Sequence, residues 1–206
     1  MKCILLIFIS FSSLILNAQK RVNKIIDAQN INTLYIDGTS CYAIKITTAQ
    51  VNQIQIQAKI DGEHSEDILV ISKRQHDSLY LKTGFQPLFK ADNDKLSAHK
   101  VMSIELELQI PAHLNLIVKS DIAQVTANGV FNSALIELNQ GQCRLEKFYG
   151  TATINTIRGS IYVETNYATI NATSRHGLVN IEPLTQGEYQ LHLKSIEGNI
   201  SVIKTE

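Results

Sequence analysis

Ile136-Glu137-Leu138-Asn139-Gln140-Gly141-Gln142-Cys143-Arg144-Leu145 and Ile154-Asn155-Thr156-Ile157-Arg158-Gly159-Ser160-Ile161-Tyr162-Val163 are one pattern written twice, 18 residues apart. Each half alternates apolar and polar residues on either side of a glycine. Alternation with period two puts one set of side chains on one face of a strand and the other set on the opposite face. Taking Asp121, Gly141, Gly159, Gly177 and Gly198 as anchors extends the pattern to five copies spaced 18 to 21 residues apart. The second and fourth residues after each anchor are Ala123/Val125, Cys143/Leu145, Ile161/Val163, Val179/Ile181 and Ile200/Val202, apolar in every copy. The fifth and third residues before it are Leu116/Val118, Ile136/Leu138, Ile154/Thr156, Ala172/Ser174 and Leu193/Ser195, a pair of columns that turns small and hydroxylic towards the C-terminus.

A unit of this length cannot bury its own apolar edge. Stacking equivalent units makes continuous inward ladders, so the pattern predicts an all-β, single-domain β-solenoid, β-helix-like, with rungs of about 18–21 residues. Burial of each Ile, Leu or Val contributes about 1.5–3 kcal/mol, enough for two such columns to hold a stack. The glycine is expected to take a left-handed or otherwise tight corner, with Asp121 as its substitute in the first copy. An antiparallel meander also alternates and ranks second, because nothing in it requires the same anchor at near-constant spacing.

The rest of the chain reads in the same way. Ile54, Ile56, Ala58 and Ile60 alternate with polar residues, as do Ile104, Leu106, Leu108 and Ile110, and Pro111 closes that strand because it cannot donate to a ladder. Shorter strands are expected at Leu34-Tyr35-Ile36, at Ile68 to Ile71 and at Leu79-Tyr80-Leu81, the last ending at Thr83-Gly84. Phe85 to His99 reads as a long loop that covers one side of the stack or contacts a partner.

The N-terminus carries Lys2, an apolar run of 13 residues from Ile4 to Leu16, and then Asn17-Ala18. These are the parts of a secretory signal peptide, and the run is short of the roughly 20 residues that span a membrane. The expected division is therefore a signal peptide at 1–18, cut after Ala18, and one folded domain at 19–206, exported to the periplasm or the cell surface with no membrane span left. Cys3 precedes the apolar run and so cannot carry a lipid after cleavage. Lys+Arg and Asp+Glu both number 19, a balance with no basic footprint for nucleic acid or an anionic membrane. Of the two remaining cysteines, Cys143 is expected to point inward as a small hydrophobe, and Cys41 falls on the outward parity as an incidental thiol.

The succession Ile104-Glu105-Leu106-Glu107-Leu108-Gln109-Ile110-Pro111, then Leu114-Asn115-Leu116-Ile117-Val118, then repeated units ending in Gly-x-[Ile/Val]-x-[Val/Ile] resembles the bacterial "putative adhesin" family of exported β-solenoid domains. The likeness spans roughly Asn32 to Val202 and departs from the family pattern at Asp121. It implies an adhesin-like binding role and transfers no catalytic residue.

Chemistry-bearing motifs are scarce. His64, His76, His99, His113, His176 and His192 form no zinc pattern, and the acidic stretches Asp61 to Asp67 and Asp92-Asn93-Asp94 lack the ligand spacing of a calcium loop, so they read as solvated turns. No Gly-x-Ser-x-Gly and no phosphate-cradling Gly-x-x-x-x-Gly-Lys occurs. No catalytic, metal or cofactor residue is assigned. The outward columns read Gln124, Arg144, Tyr162, Asn180 and Ser201 on one side of the corner, and Ile117, Glu137, Asn155, Thr173 and Lys194 on the other. Neither concentrates acids or bases as a glycan-cleaving site requires. A ligand-binding face is expected at Arg144, Tyr162 and Asn180, flanked by Tyr149 and Tyr167, since Arg and Tyr dominate binding hot spots. The expected function is a non-enzymatic interaction module for a glycan or an envelope or surface protein. Self-association as a structural envelope component is the alternative, through unpaired strand edges that Lys204 and Glu206 look placed to blunt, and a carbohydrate-active enzyme is a remote third.

Overall fold

Alternation becomes strand wherever it was read. In the computed structural model, which describes residues 19–90 and 102–205, β4 (Gln53–Asp61) buries Ile54, Ile56, Ala58 and Ile60, and β7 (Ser103–Pro111) buries Ile104, Leu106, Leu108 and Ile110. The other strands are β1 (Lys20–Asp27), β2 (Thr33–Asp37), β3 (Ala43–Ala49), β5 (Ile68–Gln75), β6 (Ser78–Phe85), β8 (Asn115–Ser120), β9 (Gln124–Gln140), β10 (Cys143–Arg158), β11 (Ile161–Thr165), β12 (Ala168–Ser174), β13 (Val179–Ile181), β14 (Tyr189–Ser195) and β15 (Ile200–Lys204). A short 3-10 turn, Ser65–Asp67, occupies the acidic stretch. The expected turn at Thr83-Gly84 does not form; β6 runs on to Phe85. The leader at 1–18, the segment 91–101 with Asp92, Asp94 and His99, and Glu206 lie outside the described residues.

The fifteen strands among the described residues belong to one sheet. One course runs β1-β4-β7-β3-β9-β10-β11-β15-β13, and the other runs β5-β6-β2-β8-β9-β10-β14-β12. The long strands β9 and β10 serve both courses. Their N-terminal halves lie in the first and their C-terminal halves in the second, with register shifts between Glu146 and Thr151 where they bend. The sheet thereby folds over on itself into a nearly closed, barrel-like wall. The core fills the space inside as one contiguous cluster.

Pairing is parallel over most of the wall. On the first course Leu106, Ile44, Val125, Cys143, Ile161, Ile200 and Val179 stand in one column, and on the second Ile36, Val118, Ile136, Ile154, Leu193 and Ala172 do the same. Only the N-terminal margin is antiparallel, in β1–β4, β4–β7 and β5–β6. There Lys20 and Lys24 of β1 reach across to β5 and the turn before it, donating to the carbonyls of Glu66, Ile68 and Val70.

Two features of the repeat are corrected. The first anchor is Ala123 rather than Asp121, because Val125 pairs with Cys143 and Lys119 with Glu137, a shift of two residues from the alignment on Asp121. The cause is a hydroxyl three residues before the corner. Ser120 Oγ accepts the Ala123 N–H and donates to the Gly38 carbonyl, just as Ser195 serves Gly198 and Gly159, and Ser174 serves Gly177 and Gly198. Thr156 stands in the same position of the column but bonds differently, donating to the carbonyl of its own corner, Gly159.

The second correction concerns order. The last two units are stacked in reverse, with β15 between β11 and β13, and β14 between β10 and β12. The outermost edges at this end are therefore β12 and β13, and Lys204 sits on an interior strand rather than blunting an edge. Val179, Asn180 and Ile181 are accordingly all exposed, although two of them occupy inward columns.

Corner glycines are needed for closeness more than for backbone angle. Only Gly141 among them has a left-handed φ, +99°. A Cβ on Gly141, Gly159, Gly198 or Gly177 would sit 2.3, 1.9, 2.0 or 2.2 Å from the carbonyl oxygen of Ala123, Gly141, Gly159 or Gly198, the next corner in the stack. That succession of contacts repeats the reversed order of the last two units.

Candidate functional site

Arg144 and Tyr162 are neighbours across the β10–β11 ladder, and the Arg144 guanidinium carbon lies 4.4 Å from the centre of the Tyr162 ring. The stacking holds a flexible cation flat against the sheet and is worth about 0.5–1 kcal/mol at an exposed position. Glu146 Oε1 stands 3.9 Å from Arg144 Nε, a separation that orients little. The column continues as Thr126 on one side, and as Ser201 and then Asn180 on the other, so Ser201 separates Asn180 from Tyr162. Gln124 does not belong to it, for the same two-residue shift. Tyr149 pairs with Val130 at the bend of β10, and Tyr167 occupies the turn between β11 and β12 with φ +56°. The five expected residues thus divide into a flat facial set, Arg144, Tyr162 and Asn180, and a pair of tyrosines at the bends.

Further along this face, Lys45, Lys59, Glu105 and Glu107 form a four-membered ion network across β3, β7 and β4, with Lys59 Nζ 2.8 Å from Glu107 Oε1. The hydrogen bond from Lys59 holds the Glu107 carboxyl below its ordinary value, and the bond to Glu105 raises the Lys45 ammonium above its own.

The opposite course carries the concave feature. A groove of about 700 Å³ runs beside the stacked corners. One bank is the outward column four residues before each corner, Lys119, Glu137, Asn155, Lys194 and Thr173 in stacking order. Its other bank comes from the positions two residues before, which include Asn139, Ile157, Ile196 and Arg175. The first bank was in view from the sequence, except that Lys119 replaces Ile117. The second bank was missed, although the repeat that located the corners locates it too. Lys119 Nζ is 2.7 Å from Glu137 Oε2, and Asn139 donates to the Asp121 carboxylate, whose negative charge no cation at that end pairs among the described residues.

Cys143 is wholly buried in its ladder, as expected, and burial pushes its thiol up to about 12. Cys41 corrects the parity argument. It is equally buried, because the turn after Gly38 breaks the strand before β3 begins and rotates the side chain inward, where Sγ lies 3.8 Å from Thr83 Oγ1. Burial raises its thiol to about 11. Both cysteines are free thiols. Among the described residues no group of three or more His, Cys, Asp or Glu is placed to hold a metal ion. His64 lies 3.7 Å from Asp67 and packs edge-on against Phe89. No helix among the described residues is long and apolar enough to cross a membrane.

No family model matches this sequence, and no curated protein matches it. A solved structure does share its fold. A putative cell adhesion protein from Clostridium sporogenes superposes with a TM-score of 0.64 over 91% of this chain and 100% of its own, at 12% identity. Putative adhesins from Bacteroides fragilis and Parabacteroides distasonis align over 91% of this chain and 99% and 98% of theirs, with TM-scores of 0.40 and 0.37 at 12% and 9% identity. The first of these likenesses places the chain in the all-β architecture seen in the Clostridium protein.

Proposed function

We propose that this chain is an exported β-solenoid that acts without catalysis, as an adhesin-like module binding a glycan or a surface protein at the cell envelope. The observation that carries the reading is the parallel ladder itself. It repeats outward side chains at one-strand intervals on flat faces, and on one of them it holds Arg144 preorganised over Tyr162. Rigid aromatic and guanidinium groups give contact area at low entropic cost, which suits recognition of an extended partner. The signal-like leader supports export, and the name of the Clostridium neighbour agrees with adhesion.

The test is a screen of the purified chain from Gln19 to Glu206 against glycans and envelope polysaccharides, beside an Arg144→Ala/Tyr162→Ala variant. Selective binding by the wild type, lost in the variant, is the expected result. Silence toward every glycan moves the reading to a protein partner.

One observation favours the structural alternative. Among the described residues the outer edges of β12 and β13 have no strand beside them, and neither strand carries a charged residue. Unblunted edges of this kind are where chains add to one another. Self-association of that origin predicts a mass that rises with concentration in the absence of any ligand.

A further inference from the structure

The groove beside the corners differs from the Arg144–Tyr162 face in shape, composition and charge. It crosses five strands, about 19 Å at the ordinary strand spacing. Asn155 and Thr173 offer amide and hydroxyl groups along one bank, while Ile157 and Ile196, 44% and 41% exposed, form an apolar ledge on the other. Its charge is uneven. At the β8–β9 end Lys119 is paired with Glu137, and the Asp121 carboxylate, held by the neutral Asn139 amide, leaves that end negative. At the β14–β12 end Lys194 and Arg175 project into the groove, and neither makes an ion pair with any described residue. Unmatched cations on a concave, partly apolar surface favour an anionic ligand there.

We infer that this groove binds a carboxylate-bearing glycan, with Lys194 and Arg175 taking carboxylate groups while the isoleucine ledge packs against the C–H face of a sugar ring. The inference rests on the binding-module reading and adds to it a second site and a ligand class. A polymer suits the site better than a small molecule, because polar groups recur along the bank from strand to strand. A peptide suits it less well. Strands β9, β10 and β14 at its floor have neighbours on both sides, so their backbone groups are already paired and no strand can be added there.

The experiment titrates oligogalacturonate and alginate oligomers into the purified protein, with methyl-esterified oligogalacturonate and poly-glutamate as comparators. Two variants accompany the wild type, Arg175→Gln/Lys194→Gln in the groove and Arg144→Ala/Tyr162→Ala on the other face. Thermal melts check that both remain folded, as expected for exposed substitutions. Expected are binding of at least one carboxylated glycan, a loss of tenfold or more in the groove variant, little change in the facial variant, weaker binding of the ester, and weakening with added salt. Carboxylated-glycan binding that survives in the groove variant, or poly-glutamate binding as tightly, overturns the assignment. Silence of the wild type toward both carboxylated glycans overturns it too. If neutral glycans still bind through Arg144 and Tyr162 in that case, the groove fails alone and the binding-module reading stands.

Discussion

At three of the corners a serine three residues earlier fixes where the chain turns. Ser120, Ser174 and Ser195 each accept the N–H of the corner residue and donate to the carbonyl of the corner stacked beside it, tying neighbouring rungs together at a buried or half-buried point. After Ser174 and Ser195 the corner is a glycine, which leaves room for that carbonyl. Gly159→Ala is expected to cost about 3 kcal/mol or more, since its Cβ would lie 1.9 Å from the Gly141 carbonyl oxygen and only backbone movement can relieve the clash. Gly84→Ala is the control. There the nearest atom to a new Cβ is Ile71 Cδ1 at 3.9 Å, and the change should fall within about 0.5 kcal/mol of wild type in denaturant titrations. Equal losses at the two positions would mean that glycine is required for flexibility rather than for corner stacking. The sequence showed the glycines but not this reason for them, because Asp121 looked like a corner substitute while the deciding residue was its neighbour Ser120. Cys41 was misplaced for a related reason: alternation predicts facing only within a strand, and a turn resets it.

Strands were the most legible elements, because burial of alternate residues is a local property of extended chain. β4 and β7 lie where the pattern put them, down to Pro111 at the end of β7. β1 was not read, since Lys20 and Lys24 interrupt the inward positions that Val22 and Ile26 occupy. Both side chains are half-buried and their ammonium groups bond the carbonyls of Glu66, Ile68 and Val70, so charge at an inward position marks a margin rather than a loop. The charged element with a pH signature is the network joining β3, β7 and β4. Glu107 has its folded pKa depressed, so its contribution is present above its ordinary value of 4.5 and is lost as the pH falls through the folded value. Lys45 has its folded pKa raised, so its contribution is complete below its ordinary value of 10.5 and is lost as the pH climbs through the folded value. Glu107→Gln should therefore flatten the fall of stability below about pH 4.5 and weaken the protein slightly at pH 7. Because the network is partly exposed, the effect should shrink in high salt. An acid limb of identical steepness in wild type and variant would show that Glu107 does not sense its partners.

For the whole molecule, chain order and stacking order part company near the C-terminus. The repeat was legible as a repeat, and its columns were legible as inward or outward, but nothing in a periodic pattern states which unit lies beside which. β12 with β13 and β14 with β15 have similar columns, and either could follow β10–β11. The reversed arrangement covers β14 and β15 on both sides, and they bury Leu191, Leu193, Ile200 and Val202 almost completely, whereas β12 and β13 keep Ile170, Ala172, Val179 and Ile181 partly or largely exposed. Apolar burial thus assigns the last-made unit to the interior and an earlier one to the margin, which produces two expectations that sequential stacking does not share. Hydrogen exchange should be slower in β14–β15 than in β12–β13, since local opening follows burial and exposed strand edges. Truncation after Glu197 should also unfold far more than five strand residues. It removes β15 from between β11 and β13, strips the partner from β13, and leaves the inward faces of Ile161 and Val163 beside a gap. The loss should show as a collapse of the cooperative melt rather than a small shift in its midpoint. If the truncated chain melts as wild type does, or if β12–β13 exchanges more slowly than β14–β15, the units stack in chain order and the exposed margin lies at β15.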